Sequence, residues 1–263
     1  MSNPQYKAII TGATGGIGQA IAKALAPHCQ MLILQGRDTQ KLAALKASLT
    51  SSNTQVEVLA GDISNPDTAK QLFDLAESKG GLNLLINNAG ISRFQSFEHQ
   101  SKDDIGHLLQ TNLVAPILLT QSLLPLLKKE PSQIVNVGSI FGYLGFPGFS
   151  SYCASKFGLR GFSQALRREL SDTSVSVKYF SPRATQTSIN TDSVVQMNQE
   201  LGTQSDTPEW VAQEFIRFLS SNAWEKKLGF KESFFVLLNH LFPKLPDQGI
   251  GKQLPIIKKY LSK

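Results

Sequence analysis

The sequence predicts an α/β fold, a doubly wound parallel sheet with helices on both faces. Short apolar runs typical of buried strands alternate with helical patterns, and glycines or small polar residues follow several of the strands. With 263 residues, of which 41% are hydrophobic and 17% charged, the chain can bury one large core. We expect one domain over residues 1–222 and a C-terminal helical extension over 223–263 that packs on it.

The first predicted strand, residues 6–10, runs into a glycine-rich turn, and a helix over 19–26 follows. Such a turn gathers backbone N–H groups at a positive helix end and lets a pyrophosphate approach the backbone closely. Glycine is common in ordinary turns too, but the strand and the helix on either side favour a dinucleotide site. The candidate residues are Gly12, Thr14, Gly15, Gly16, Ile17 and Gly18.

The second predicted strand, residues 30–35, ends just before Arg37, where this architecture meets the adenosine ribose. A guanidinium suits a phosphate, so Arg37 favours NADP(H) over NAD(H) as the cofactor. Asp38 is the competing residue, because a carboxylate would suit an unphosphorylated ribose. We expect Asp38 instead to cap the helix that begins at Thr39.

Two further strands, residues 55–60 and 82–86, place more polar residues at the same edge of the sheet. Asp62 follows the first of them and either contacts the adenine or holds its own loop. Residues 87–90 follow the second, where a side-chain amide can bridge the backbone and a cofactor ribose. These residues extend the candidate cofactor site beyond the glycine turn.

A helix that opens with a capping box at Ser101 carries Asn112 and Pro116 in its interior. Proline removes an amide hydrogen bond, so the helix should bend there and free a carbonyl near Asn112. Asn112 is then either a polar group of the site or an ordinary surface asparagine.

A candidate acid/base site lies between Ser139 and Lys156. Ser139 follows a strand over residues 133–137, at the edge where open α/β sheets bind ligands. Tyr152 and Lys156 are four residues apart on a helix over 150–171, so their side chains share one face. A phenol has a pKa of about 10, and a neighbouring ammonium lowers it. The spacing Y-x-x-x-K is common by chance, so the other motifs must support this site.

Residues 183–206, after a predicted strand over 174–180, are too long and polar for a plain connector and indicate a substrate loop. Within them, residues 190–206 look loosely structured. Aromatic residues near the candidate site predict an apolar substrate pocket, although ordinary core packing explains them equally well. They are Phe94, Phe141, Tyr143, Phe146 and Phe149.

With these motifs assembled, residues 5–221 resemble a classical short-chain dehydrogenase/reductase, a family with a Rossmann-like fold. Residues 11–18 fit its T-G-x-x-x-G-x-G turn, and residues 87–90 fit its N-N-A-G sequence. The serine, tyrosine and lysine described above fit its catalytic set. Four motifs in the family's order make a chance match negligible.

The resemblance also implies roles for individual residues. Tyr152 would donate or accept the substrate proton, Lys156 would lower the tyrosine pKa and bind the nicotinamide ribose, and Ser139 would hold the substrate oxygen. Asn112 would belong to a relay that links the lysine to water. Cofactor contacts would come from Thr14 and Arg37 at a 2′-phosphate, Asp62 and Ile63 at the adenine, Asn88 at the ribose, Thr187 at the carboxamide, and from Ala89, Gly90 and Pro182.

Two features depart from the family pattern. Arg183 stands where the family usually has a glycine, so the loop leaves its usual path, or the guanidinium faces the cofactor or an acidic substrate, or it is simply exposed. The D-G-G-like sequence of the family's seventh strand is absent, and we expect C-terminal helices in its place. A tetramer by analogy is therefore unsafe, and we expect a homo-oligomer with a dimer favoured.

Two short helices are expected in the extension, over residues 229–242 and 248–261. The first is apolar around most of its circumference and is flanked by lysines, so it could pair two subunits, cover the substrate or contact a membrane surface. Eight lysines against three acidic residues follow residue 222, in a chain whose net charge is +6. This charge lies among apolar residues rather than along a polar face, which argues against nucleic-acid binding.

The predicted function is that of an NADP(H)-dependent oxidoreductase acting on an apolar ketone, aldehyde or 3-oxoacyl compound. An alcohol dehydrogenase working oxidatively would use the same residues, whereas a non-catalytic NADP(H)-binding partner would be expected to have lost Tyr152 or Lys156. Residues 1–7 lack the pattern of a signal peptide, which predicts a cytoplasmic protein, with a membrane-peripheral position as the alternative. Cys29 and Cys153 are expected to be free thiols, and no metal site is expected.

Overall fold

A computed structural model describes residues 6–49 and 54–261. The prediction that the chain begins without a signal peptide rests on residues 1–7, of which residues 1–5 lie outside the described part. The centre of the structure is one sheet of seven strands, ordered β3-β2-β1-β4-β5-β6-β7, in which every pairing is parallel. The strands are β1 (Tyr6–Ile10), β2 (Cys29–Gly36), β3 (Gln55–Ala60), β4 (Leu84–Asn87), β5 (Ser132–Val137), β6 (Val175–Ser181) and β7 (Glu225–Lys227). The predicted doubly wound, Rossmann-like α/β fold is confirmed.

Helices cover both faces of this sheet, because successive side chains of each strand point to opposite faces. The helices are α1 (Gly16–Leu25), α2 (Thr39–Ser48), α3 (Pro66–Ser78), α4 (Lys102–Leu109), α5 (Ala115–Leu127), α6 (Ser150–Glu169), α7 (Asp192–Glu200), α8 (Pro208–Leu219), α9 (Phe230–Leu241) and α10 (Lys244–Tyr260). In β1, Ala8 and Ile10 face one core with α1 and α8, whereas Ile9 faces a second core with α3 and α5. None of the helices among residues 6–49 and 54–261 is long and apolar enough to cross a bilayer.

The strand order reverses between β1 and β4, since the chain builds β2 and β3 on one side and then crosses to the other. Ligands of open α/β sheets bind in the crevice at the carboxyl ends of the strands beside such a reversal. The turns after β1, β4 and β5 all open into this crevice. The topology therefore brings the glycine turn, residues 87–90 and Ser139 to one edge.

The sequence correctly predicted where two helices begin and that the helix is disturbed before Pro116. The Asp38 carboxylate accepts a hydrogen bond from the Lys41 amide at 3.0 Å and caps α2. The Ser101 hydroxyl accepts one from the Asp104 amide at 3.0 Å and caps α4. Between α4 and α5, residues Gln110–Val114 form a π-helical turn just before Pro116. The wider turn agrees with the amide hydrogen bond that proline removes.

Three expectations about the second half of the chain were wrong. Residues 225–227 form β7 against β6, so a seventh strand exists without the D-G-G-like sequence, and the helical extension begins at α9 rather than at residue 223. Backbone pairing with β6 holds this short strand together with side-chain contacts of Glu225 to Tyr143 and Arg160, none of which requires the D-G-G-like sequence. The stretch 190–206 is not loose, because α7 occupies its middle. The last helix begins at Lys244, before the expected residue 248.

Candidate active site

A cleft of about 560 Å³ lies at the carboxyl ends of β1, β2 and β4. Gly12 has φ of 62°, a conformation that glycine adopts without strain, and the turn bends sharply there. The Thr11 hydroxyl accepts hydrogen bonds from the amides of Asn88 and Ala89, both at 3.0 Å. The Asn88 side chain donates to the carbonyls of Thr11 and Gly12 at 3.0 and 3.2 Å. The glycine turn and the end of β4 are therefore one rigid wall of the cleft.

The cleft collects nearly every residue predicted to bind the cofactor. Its lining includes Gly12, Thr14, Gly15, Gly16, Ile17, Gly18, Arg37, Asp62, Ile63, Asn88, Ala89, Gly90, Tyr152, Lys156 and Thr187. The exception is Pro182, which lines a neighbouring cavity instead. Asp62 also accepts a hydrogen bond from the Ser64 amide at 2.8 Å, so it holds its own loop while facing the cleft.

A dinucleotide fits these residues. A side chain at Gly18 would clash with the Gly12 carbonyl and lie 2.6 Å from the Asn88 amide nitrogen. Gly18 thus lets the start of α1 pack closely on the glycine turn, where the positive end of the helix suits a pyrophosphate. The Thr187 hydroxyl is buried with no hydrogen-bond partner in the described structure, and it borders the cleft beside Gly16. Such an orphaned polar atom is expected where a ligand supplies the partner.

The ribose end of the cleft is positively charged. Arg37 and Lys41 are exposed and both line it. The Asp38 carboxylate is engaged with the Lys41 amide, and this hydrogen bond holds the Asp38 pKa below its usual range. The Asp38 carboxylate also pairs with the Lys41 amine at 3.5 Å, so Asp38 is a helix cap whose charge is compensated and Arg37 supplies the remaining positive charge at this end.

Tyr152 and Lys156 line the inner end of the cleft, and Ser139 lies beside Tyr152 in the wall of a neighbouring cavity. Ser139 begins a short 3-10 turn after β5, and its hydroxyl accepts a hydrogen bond from the Phe141 amide at 3.1 Å. The same hydroxyl hydrogen-bonds the Tyr152 phenol. Lys156, one helical turn along α6, points its amine at the Val137 carbonyl, 3.1 Å away, and lies 5.7 Å from the Tyr152 ring centroid.

Burial has the largest effect on the pKa values of Tyr152 and Lys156. It raises the pKa of Tyr152 to about 12, against the opposing hydrogen bond from Ser139. It lowers the pKa of Lys156 to about 8. We expected Lys156 to lower the tyrosine pKa, and in this structure the shift has the opposite sign because desolvation disfavours the phenolate. Tyr152 is therefore a protonated phenol at neutral pH, the form that a proton donor requires.

Asn112 is buried in the π-helical turn and is held firmly. Its side-chain oxygen accepts from the Ile91 amide at 2.8 Å, and its nitrogen donates to the Ile91 carbonyl at 2.8 Å and to Ser155 at 3.2 Å. A side chain at Gly90 would lie 3.3 Å from the Asn112 oxygen and 3.6 Å from the Lys156 amine. Asn112 is thus not a surface residue, which was the alternative prediction. Because Gly90 has no side chain, Asn112 faces Lys156 across it.

A second cavity of about 380 Å³ adjoins the cleft. Tyr152, Gly138 and Thr187 line both spaces, so the phenol stands where they meet. Phe141, Phe146 and Phe149 line the second cavity, as predicted for a substrate pocket. Its size and largely apolar wall are those of a small-molecule site.

Comparisons with known proteins agree with this arrangement. The family model described as short chain dehydrogenase matches residues 6–198. This chain belongs to the short-chain dehydrogenase/reductase family. Its relatives include Nodulation protein G of Rhizobium sp. (strain N33), 37% identical over 67% of this chain and 71% of the relative. The 3-oxoacyl-(acyl-carrier-protein) reductase FabG of Haemophilus influenzae is 30% identical over 76% of this chain and 82% of the relative.

Two solved structures show the same fold. A short-chain dehydrogenase from Burkholderia cenocepacia, solved in complex with NADP, is 29% identical with a TM-score of 0.76, covering 83% of this chain and 91% of that one. A short-chain dehydrogenase/reductase from Burkholderia phymatum, solved with NAD, is 24% identical with a TM-score of 0.83, covering 94% and 97%. The chain is thus an oxidoreductase of this family, whose members bind a nicotinamide cofactor and act on small molecules.

Two residues predicted for the pocket of this short-chain dehydrogenase lie elsewhere. Phe94 packs its ring on Phe149, with centroids 4.9 Å apart, and is buried behind the cavity wall. Tyr143 is almost fully buried and donates a hydrogen bond to Glu225 at 3.0 Å, on the far side toward β7. Both predictions were wrong because packing decides which way a loop side chain points: Phe94 turns onto Phe149 and Tyr143 turns toward β7, which spacing along the chain does not reveal.

Arg183 of this dehydrogenase is not simply exposed: it lines the substrate cavity and is paired with acidic side chains of the chain itself. Its guanidinium forms a two-pronged pair with Asp206, at 2.9 and 2.7 Å, and also contacts Gln204 at 3.1 Å and Glu232 at 3.3 Å. Its side chain is only 11% exposed. Arg183 therefore ties both ends of the loop 183–206 to α9.

The sequence predicted the two segments of the cavity's outer wall, the loop 183–206 and the first C-terminal helix, but not which of their residues line it. Val194, Met197 and Leu201 come from α7 and its end, and Phe235 comes from α9. The apolar spacing of Val194 and Met197 on a helix was a usable signal. Polar residues on both sides of α7 hide this apolar spacing in the sequence.

Proposed function

We propose that this short-chain dehydrogenase is NADP(H)-dependent and transfers a hydride between nicotinamide and an apolar carbonyl or alcohol. One observation carries the proposal. The Tyr152 phenol stands at the junction of the cofactor cleft and an apolar cavity, hydrogen-bonded to Ser139. A ketone, an aldehyde or a 3-oxoacyl compound matches that cavity, and the similarity to a 3-oxoacyl reductase supports the last of these.

The chain's own residues account for proton transfer. When bound, the nicotinamide ring supplies or accepts the hydride. In carbonyl reduction, the Ser139 and Tyr152 hydroxyls hold the substrate oxygen as its negative charge grows, and Tyr152 gives it a proton. Lys156 stabilises the resulting phenolate, and Asn112 faces Lys156 across Gly90. Tyr152 is protonated at neutral pH and can therefore act as the proton donor in reduction.

The cofactor preference rests on the positive ribose end of the cleft. Arg37 suits a 2′-phosphate, while Asp38 is occupied as a helix cap and as the ion-pair partner of Lys41. The 29% identical structure that was solved with NADP supports this choice. The structure solved with NAD is 24% identical and is similar in fold alone.

Titration with NADPH and with NADH tests this preference. We expect the wild type to bind NADPH more tightly, and Arg37→Ala to lose about tenfold in NADPH affinity, because one charge-assisted hydrogen bond is removed. NADH affinity should stay unchanged in the variant. Arg168→Ala, at another exposed arginine, is the matched control and should alter neither affinity. Equal wild-type affinities would show that Arg37 does not read the phosphate.

NADPH affinity is also expected to fall as pH rises through about 8, the pKa of Lys156. Below that pH the lysine is an ammonium and donates charged hydrogen bonds to the ribose, and above it a weaker neutral amine remains. The loss should reach about tenfold at most. Fluorescence titration on both sides of this pH measures it. Lys156→Met should bind weakly with no such step, and the same step in both proteins would assign the titration to another group.

Two alternatives stay within this proposal. The oxidative direction uses the same residues, and the cellular ratio of the two cofactor forms would decide between them. A non-catalytic NADP(H)-binding role is disfavoured because Tyr152, Lys156 and Ser139 are all present and in contact.

We also predict that the chain forms a homo-oligomer, with a dimer favoured, and that it is located in the cytoplasm. Leu118 on α5 and Phe157 on α6 are each 44% exposed and offer apolar surface for subunit contact. Light scattering of the purified chain would report the number of subunits.

A further inference from the structure

The outer face of α9 carries an apolar stripe. Its members are Phe230, Phe234, Leu237 and Leu241, which are 88%, 52%, 53% and 61% exposed. Their spacing of three and four residues places them along one face of the helix. Soluble proteins rarely leave such a continuous apolar stripe in water without a binding partner.

The rest of α9 is fixed, so the helix cannot roll inward and bury the stripe. Val236 is buried in a core cluster with Tyr143. Asn239 donates a hydrogen bond to the Tyr143 carbonyl at 3.3 Å, and Glu232 pairs with Arg183 at 3.3 Å. These contacts hold the opposite side of the helix against the domain. The stripe is therefore a stable feature of the surface.

Positive charge borders the apolar stripe. Lys231 directly follows Phe230, and Lys244 lies three residues beyond Leu241; both are exposed, and neither forms an ion pair within residues 6–49 and 54–261. Among the nearby acids, Glu232 is already paired with Arg183, which leaves Asp247 exposed. An apolar stripe with unpaired lysines at its border matches the composition of a helix that lies in a membrane interface.

The substrate cavity opens beside this stripe. Phe235, Lys231 and Glu232 line the cavity from α9. Phe235 is also 45% exposed, and it follows Phe234 of the stripe by about 100° of helical rotation. If an apolar surface were bound to the stripe, a molecule passing from that surface into the cavity would therefore meet Phe235 first.

We propose that the apolar stripe of α9 docks on an anionic lipid bilayer, so that the substrate cavity takes its apolar substrate directly from the membrane. The proposal deepens the function proposed above and rests on it for the substrate class. A second copy of the chain is the competing occupant. A two-fold contact would pair the stripes in opposite directions and bring the lysine at one end of each stripe toward the lysine at the other end of its partner's stripe, whereas anionic headgroups complement them.

Vesicle flotation tests the docking. We expect the protein to float with vesicles of phosphatidylcholine and phosphatidylglycerol, to float less with phosphatidylcholine alone, and to be released by salt. Phe234→Ser combined with Leu237→Ser should lower binding by about tenfold or more, because two apolar side chains leave the interface. Phe97→Ser is the matched control, since Phe97 is 65% exposed outside α9. It should bind like the wild type.

A two-substrate assay separates docking from the chemistry. The double variant should reduce a short, water-soluble ketone at the wild-type rate, and should lose rate only on a long-chain ketone dissolved in anionic vesicles. Loss of the variant's rate on both substrates would overturn the docking proposal, because the stripe would then be needed for the reaction or the fold itself. Activity on neither substrate in the wild type would count against the proposed function instead. Equal rates for wild type and variant on the vesicle-borne ketone would overturn the membrane route.

Two further outcomes would overturn the proposal. One is a wild type that floats with neither kind of vesicle. The other is a double variant that turns a dimer into a monomer in light scattering, which would assign the stripe to a second copy of the chain. Circular dichroism of both variants confirms that they are folded before either result is read.

Discussion

Replacing Tyr152 with phenylalanine is expected to lower turnover by about 10²–10⁴-fold, the usual contribution of a general acid or base. The phenol is the proton-bearing group at the junction of the cofactor cleft and the substrate cavity, and no other tyrosine lines both. NADPH affinity should remain nearly unchanged, because the ring and its packing stay in place. Steady-state kinetics with an apolar ketone and fluorescence titration of NADPH measure the two effects.

Tyr143→Phe is the matched control for this result. It makes the same chemical change at a buried tyrosine outside the cavity, where the hydroxyl bonds Glu225. We expect normal turnover with some loss of thermal stability, since a hydrogen bond in the interior is removed. Unchanged turnover in Tyr152→Phe would remove Tyr152 from the mechanism. A comparable loss in Tyr143→Phe would mean that the kinetics report general damage to the fold.

Gly18→Ala is expected to weaken NADPH binding by about 100-fold. The added methyl group would clash with the Gly12 carbonyl and lie 2.6 Å from the Asn88 amide nitrogen. Both atoms belong to the wall that joins β1 to β4, so relief requires the glycine turn to open. Overpacking of this kind costs about 1–3 kcal/mol, and the upper part of that range corresponds to the expected loss of affinity.

Gly161→Ala provides the comparison for Gly18→Ala. Both glycines lie in helices, but a methyl group at Gly161 meets no atom within 4 Å. Alanine is the better helix former by about 1 kcal/mol, so this variant should melt at a higher temperature and bind NADPH normally. Gly18→Ala should melt at a lower temperature. Wild-type NADPH affinity in Gly18→Ala would show that the turn does not approach the cofactor as described.

Local patterns in the sequence determined the fold and the cofactor cleft. A strand, a glycine turn and a helix follow one another directly at residues 6–25, and parallel strands bring their carboxyl ends to one edge whatever the loops do. The caps at Asp38 and Ser101 and the bend before Pro116 also depend on neighbours within a few residues. Short-range physics decides such features, so the sequence predicted them correctly.

Tertiary structure alone decided the environment of the site. The pKa of Tyr152 rises rather than falls, because burial depends on everything that packs around the ring. Arg183 meets Glu232, a residue 49 positions later in the chain, and Phe235 of the same helix completes the substrate cavity. Phe141 faces the cavity while Tyr143, two residues on, faces β7. These outcomes depend on which distant segments meet, and the sequence pattern contains no local signal for that.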